Sequence, residues 1–238
     1  MVVVTRWSGP PLVGGRLVVV APHPDDEILC AGGLMRWTAR SGRDVVVVAV
    51  TDGEGSHALS TVVGPDELRP LRAAERDVAL ARMGVPAATV VRFAFPDRGC
   101  AEMVPAIAGA LADVLRPDDL VVGPSSGDRH PDHVAVADAV AIAAPPVVDD
   151  WWEAPTWALV HGTAAPPAST LTLDEPAWQA KQHAMAAYRS QLTPLGPDPH
   201  DGPVVHAHEL AQMLRPIEQF AVGDVDERIW WTREQQSA

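Results

Sequence analysis

The chain has 238 residues, enough for one sizeable α/β domain, and 47% are hydrophobic against 21% charged, the balance of a globular protein with a core. Asp and Glu outnumber Lys and Arg 31 to 18, and a net charge of −13 repels a phosphate backbone or an anionic bilayer, which excludes nucleic acid and membrane surfaces as expected partners. The two cysteines, Cys30 and Cys100, give no disulfide framework, no apolar run reaches the roughly 20 residues of a bilayer span, and no signal-type segment opens the chain, so a reduced, cytoplasmic setting is expected.

The first predicted element is a strand, Arg16–Ala21, short and β-branched as a strand buried on both faces should be. A helix follows from Glu27 to about Ser41, then a second valine-rich strand, Asp44–Val50. Leu71, Ala74, Val78 and Ala81 recur at helical spacing within Pro65–Met83, and Gly84 stops that helix. Thr89–Phe93 is a third strand, and Val104–Leu115 a third helix with Pro105 in its first turn. Asp119–Gly123 is a fourth strand and Val134–Ala143 a fourth helix. Strand and helix thus alternate four times, which predicts an α/β fold: a Rossmann-like three-layer α/β/α arrangement around a mostly parallel sheet.

The remainder is less regular. Ala144-Pro-Pro146 is a break, Thr156–His161 a candidate strand, Pro176–Ser190 a helix capped by Asp174, Thr193–Pro203 a proline-rich loop and Val205–Leu214 a last helix. The expected organisation is a single domain over 1–238, with a core of about 16–145 and an irregular C-terminal portion, about 146–238, that completes the active-site cleft and shapes the substrate site.

Two motifs carry chemistry. Ala21-Pro-His-Pro-Asp-Asp-Glu27 follows the first strand and places an imidazole and three carboxylates within five residues, stiffened by prolines. His23 and Asp26, three apart, can be aimed at one point by a single turn, and the pairing of imidazole with carboxylate suits zinc. His130-Pro-Asp-His133 follows the fourth strand with the same grammar. His23, Asp26 and one histidine of the second motif supply the three protein ligands of an open catalytic zinc site, and leave an acid and a histidine for proton transfer. In a 3-2-1-4 strand order the two loops flank the switch point where open α/β sheets bind ligands. The alternative for such clusters is helix capping, with Asp25 or Asp26 as a cap of the helix after the first motif.

The paired motifs resemble those of the PIG-L/LmbE-like N-acetylglucosaminyl deacetylases. Further landmarks are similar to that family: Thr51-Asp-Gly-Glu54, Arg72-x-x-Glu75, Phe95-Pro-Asp97-Arg-Gly99, and Lys181 with Tyr188-x-Ser-Gln191. The resemblance implies a zinc-dependent (or other divalent-metal) deacetylase acting on a small-molecule N-acyl amino sugar or glycoconjugate. Carried over, it implies His23, Asp26 and His133 as metal ligands, Asp25 as general base, His130 as the cationic partner of the oxyanion or leaving amine, and Asp132 as the group orienting His130. Glu54, Arg72 and Asp97 match positions that line the sugar pocket, although Arg72 and Glu75, at i and i+3, also suit a simple helix ion pair. Pro22 departs from the family's usual residue before the motif.

Trp151, Trp152 and Trp157 are candidates to stack on a sugar or cover an apolar acyl or aglycone group, with core packing favoured for Trp157. Trp230 and Trp231 are candidates for a homo-oligomer contact. His57 is a candidate to reach the pocket, whereas His206 and His208 read as surface residues and Cys30 as a small buried hydrophobe. A zinc amidase for a larger acyl group or an S-conjugate is the nearest alternative function, and a non-catalytic sugar-binding protein a further one. A dinucleotide-dependent oxidoreductase lacks its fingerprint, because Gly32-Gly33 stands too late for a G-x-G-x-x-G turn after the first strand.

Overall fold

A computed structural model describes residues 6–7, 15–148 and 151–223. Trp230 and Trp231 lie outside them. Among the described residues no helix is long and apolar enough to cross a membrane.

Strands β2 (Leu17–Ala21), β3 (Val45–Thr51), β4 (Thr89–Phe95) and β5 (Leu120–Pro124) alternate with helices α1 (Asp26–Arg40), α2 (Pro65–Met83), α3 (Val104–Val114) and α4 (Pro131–Ala143). They run parallel in the order β4-β3-β2-β5, the 3-2-1-4 order expected of the four predicted strands. In register, Leu17 pairs with Val45 and Leu120, and Val19 with Val47 and Val122. The alternating side chains then build two cores. Leu17, Val19, Val45 and Val47 face α1, α2 and α6 (Glu175–Met185), while Val18, Val20, Val46 and Val48 face α3 and α4. Each fully buried valine contributes about 1.5–3 kcal/mol, which fixes register because a slip of one residue would exchange the two faces.

The C-terminal portion is more regular than its sequence suggests. It adds β6 (Trp151–Ala154) parallel to β5, then β8 (Ile217–Val222) and β7 (Ser169–Thr172), and the short β1 (Arg6–Trp7) from the other end of the sequence closes the edge; β8, β7 and β1 are antiparallel to their neighbours, and the described residues form an eight-stranded mixed sheet. The expected strand Thr156–His161 is instead the short helix α5 (Trp157–His161), which ends on the left-handed Gly162. Its first turn is fixed by Asp128, whose Oδ1 accepts the backbone N–H groups of Thr156 and Ala158. The expected helix Pro176–Ser190 divides into α6 and α7 (Arg189–Leu192) at Tyr188, and Asp174 caps α6 as predicted by accepting the Ala177 N–H. The last predicted helix is α8 (Ala207–Met213).

Helix α1 is interrupted at Ala31, whose φ of −139° leaves the helical region. The backbone groups freed by the break are taken by an ion pair from the C-terminal portion. Lys181 Nζ donates to Leu29 O at 2.9 Å, and Glu218 accepts the N–H groups of Gly33 and Leu34 at 2.7 and 3.0 Å. Lys181 and Glu218 meet at 2.6 Å, both buried. Gly33 is glycine for a packing reason, since a Cβ there would lie 2.2 Å from Leu173 Cδ2.

Candidate metal centre

The loops after β2 and β5 meet at the carboxyl end of the sheet, on either side of the point where strand order reverses. The first motif turns sharply there. Asp25 takes φ 121°, a conformation costly for any residue with a Cβ, and its N–H is held by Glu27 Oε2 at 3.1 Å. Glu27 is itself fully buried, and its other oxygen accepts the Tyr188 hydroxyl. Asp25 occupies the N-cap position of α1 but makes no side-chain cap bond, so capping does not explain its carboxylate.

Asp26 is the hub. Its Oδ2 accepts the His23 N–H at 2.9 Å, and lies 3.4 Å from His23 Nδ1 and 3.3 Å from His133 Nε2. The outer nitrogen of each imidazole is occupied by a carboxylate: Asp132 Oδ2 lies 3.0 Å from His23 Nε2 with Asp97 Oδ1 at 3.2 Å, and Asp128 Oδ2 accepts from His133 Nδ1 at 2.8 Å. Histidines held in this way present the remaining nitrogen inward, as in metal sites. His133 Nε2 is buried and has no hydrogen-bond partner among the described residues. Ligand-type nitrogens of His23, His130 and His133 lie within 4.8 Å of one another. A buried, unpartnered imidazole nitrogen facing a carboxylate and flanked by two more imidazoles fits a divalent metal ion.

The electrostatics follow the same division. Burial alone would push Asp26 up, but His133 and His23 beside it hold it well below the usual carboxylate range. Burial dominates at Asp25 and raises it to about 8, against the opposing charge of Arg72. His133 is raised to about 9 because Asp26 and Asp128 outweigh its burial.

His130 differs from the expectation drawn from its motif. Its Nδ1 is buried without a hydrogen-bond partner among the described residues, and burial, then the neighbouring His23 and His133, lower it to about 4. Nor does Asp132 orient it: the Asp132 oxygens serve His23 and the backbone N–H groups of Arg98 and Cys100.

Arg72 and Glu75 do not pair. Buried Arg72 donates to Gly53 O and Pro24 O and reaches Asp25 Oδ2 at 3.4 Å, whereas Glu75 accepts the N–H and hydroxyl of Ser190. Asp97 faces His23 and takes the Gly55 N–H. Glu54 lies behind the cleft, 3.4 Å from Arg69 Nη2 and from the Asp97 N–H.

These groups line a cleft of about 540 Å³ whose polar side holds His23, Asp25, Asp26, Arg72, Asp97 and His130. Leu29, Trp157, Val204, Val205 and Met213 supply its apolar wall. Thr156, Trp157, Gln191, Val204, Val205 and Met213 of the C-terminal portion are among the lining residues, but the expected Trp151 and Trp152 are not. Trp151 and Trp152 alternate into the two cores of the sheet, as neighbours on a strand must, and it is Trp157, favoured as a core residue, that reaches the cleft. His57 stands just behind the lining, its Nδ1 3.0 Å from Ser56 Oγ, and exposed His206 and His208 stack on each other. Asp128 was not singled out by its sequence, although an acid five residues before a ligand-type histidine is the only local sign of it.

The molecule is thus a Rossmann-like α/β protein with an imidazole–carboxylate metal cluster at its switch point. It belongs to the PIG-L family: the family profile described as PIG-L, GlcNAc-PI de-N-acetylase, matches residues 18–144. The chain is 28% identical over 282 residues to the 1D-myo-inositol 2-acetamido-2-deoxy-alpha-D-glucopyranoside deacetylase of Corynebacterium diphtheriae, a match covering 89% of this chain and 94% of that one. It is 34% identical over 143 residues to the protein of the same name from Mycobacteroides abscessus, over 50% of this chain and 51% of that one. Against that protein and its Rhodococcus erythropolis counterpart, the match spans about half to three-fifths of the relative's length. Among solved structures, the N,N'-diacetylchitobiose deacetylase of Pyrococcus horikoshii superposes with a TM-score of 0.64 at 18% identity, covering 87% of this chain and 83% of that one, a likeness of fold.

Proposed function

We propose that this protein is a zinc-dependent N-deacetylase acting on an acetylated amino sugar within a small glycoconjugate. The observation that carries the reading is the arrangement around Asp26: two histidines whose outer nitrogens are held by carboxylates turn their inner nitrogens toward one carboxylate oxygen, beside a second carboxylate that is free of the cluster. Family membership and the names of the relatives support the same chemistry.

In this reading His23, Asp26 and His133 hold the zinc. Bound there, zinc supplies a Lewis acid for the acyl carbonyl and lowers the pKa of water to about 7. Asp25 is the general base. It lines the cleft, its strained backbone aims the carboxylate, and Arg72 favours the ionised form against burial. After accepting the proton from water, the same carboxyl is placed to return it to the departing amine. His130, which lines the cleft beside His23 and His133, donates a hydrogen bond to the developing oxyanion. Asp97, which lines the cleft, is the proposed acceptor for a sugar hydroxyl, Arg72 acts on the substrate site through Asp25, and Trp157 is the proposed contact for the ring or an apolar substituent.

The apolar wall of Leu29, Trp157, Val205 and Met213 favours a second reading, in which the acyl group is larger than acetyl or the conjugate carries an apolar aglycone. Metal analysis with acetate release over a panel of N-acetylated amino sugars, including inositol- and chitobiose-type conjugates, tests the first. Release of a longer acyl group in preference to acetate replaces it with the second, and the absence of both metal and release ends both.

A further inference from the structure

Asp128 is buried and its carboxylate is shared between two structures. One oxygen accepts from His133 Nδ1 at 2.8 Å. The other accepts the N–H groups of Thr156 and Ala158, at 3.3 and 2.6 Å, the two residues that flank Trp157. The first bond determines which proton His133 keeps when the ring is neutral: a carboxylate only accepts, so Nδ1 stays the N–H and Nε2 is the nitrogen left with a lone pair, facing Asp26. The second fixes the backbone of the residue whose indole lines the apolar wall. Thr156 also meets α1, its Oγ1 3.3 Å from Cys30 Sγ, so this turn has little freedom to drift from the cluster.

We infer that Asp128 is a positioning residue that joins the third metal ligand to the cleft wall, so that loading the metal and placing Trp157 are one event. No other described side chain contacts both His133 Nδ1 and the backbone on either side of Trp157 through a single group. The inference rests on the reading of His133 as a ligand.

Asp128→Asn is the informative variant. The amide oxygen can still accept from Thr156 and Ala158, but its NH₂ then faces His133 Nδ1 and favours the tautomer with the proton on Nε2, the wrong nitrogen for a metal. Zinc affinity of the full chain, measured by competition with a chromophoric chelator, is expected to fall about 10–100-fold. In protein carrying 5-fluorotryptophan, the Trp157 fluorine resonance, assigned by its loss in Trp157→Phe, is expected to shift on zinc addition in the unsubstituted protein and to lose that response in Asp128→Asn.

Unaltered zinc affinity in Asp128→Asn overturns the ligand half, and a Trp157 resonance indifferent to zinc overturns the coupling. Nitrogen-15 NMR of the zinc-loaded, unsubstituted protein decides without any variant: zinc on His133 Nε2 with a proton on Nδ1 is expected, and zinc on Nδ1 overturns the proposal. His133→Ala separates the two readings. If it binds zinc normally, the ligand assignment fails, whereas loss of zinc there with unaltered binding in Asp128→Asn removes Asp128 alone.

Discussion

Arg72 holds Asp25 from behind: its Nη2 lies 3.4 Å from Asp25 Oδ2 while its guanidinium is anchored on the carbonyls of Gly53 and Pro24. The arginine is 2% exposed, so its charge acts on the carboxylate with little screening. Arg72→Met leaves two buried carbonyls without that donor and a buried carboxylate without its counter-charge, and is expected to destabilise the protein by about 3–5 kcal/mol. Urea denaturation measures this. A loss below about 1 kcal/mol would show that water replaces the guanidinium.

Asp25→Asn is expected to retain stoichiometric zinc and to lower kcat by about 10²–10⁴-fold, the range of a positioned general base. Metal analysis beside acetate release checks both parts, and loss of metal together with activity would move Asp25 into the ligand set. The same variant tests the titration. Asp25 is raised from 3.8 to about 8 by burial, so the unfolded chain ionises there before the folded one does. In chelator-stripped protein this group therefore lowers stability as pH rises from 3.8 toward 8, and Asp25→Asn removes that contribution. Equal slopes of Tm against pH for the two proteins would contradict it.

His133, raised to about 9 by Asp26 and Asp128 against its burial, must lose its proton to take a metal at Nε2. Zinc affinity is accordingly expected to fall by about tenfold per pH unit below 9 for each proton displaced. Calorimetry in buffers of different ionisation enthalpy counts the protons released at neutral pH, and a count near zero contradicts the assignment. His133→Ala is expected to bind no zinc at stoichiometric concentration.

Gly53 is the turn on which Arg72 rests. It sits at φ 69°, and a Cβ would lie 1.9 Å from Arg72 Nη1. Gly53→Ala adds left-handed strain of about 1–3 kcal/mol and displaces the arginine from its carbonyl. A lower Tm with activity reduced in parallel is expected. Activity retained at reduced Tm would mean that Arg72 is dispensable for Asp25.

Much of this architecture was legible in the chain. Strands β2 and β3 are valine-rich runs buried along their whole length, and β5 opens on a short apolar run that is buried from Val121 onward. The two motifs then follow from topology, since the loops after β2 and β5 are forced together. The C-terminal strands were hidden because each breaks its own pattern. Strand β7 is Ser-Thr-Leu-Thr, β6 begins with two tryptophans that face opposite cores, and the inward face of β8 carries Glu218 beside Phe220. An acid on an inward face reads as a loop until its partner, Lys181, is known. The role of Asp132 was misplaced for a related reason: sequence proximity pointed to His130, whereas the fold delivers His23 from a strand more than a hundred residues away.

The ion pair of Lys181 and Glu218 has a consequence for how the protein comes into being. Helix α1, which carries Asp26 and adjoins His23, is broken at Ala31, and the groups exposed at the break are satisfied by side chains translated about 150 and 185 residues later. On the ribosome the segment holding His23 and Asp26 emerges well before Glu218, so the groups at the break in its helix wait for their partners. A nascent or prematurely terminated chain that lacks Glu218 therefore carries His23 and Asp26 without the contacts that brace their helix, and the finished cleft depends on the last of the described strands.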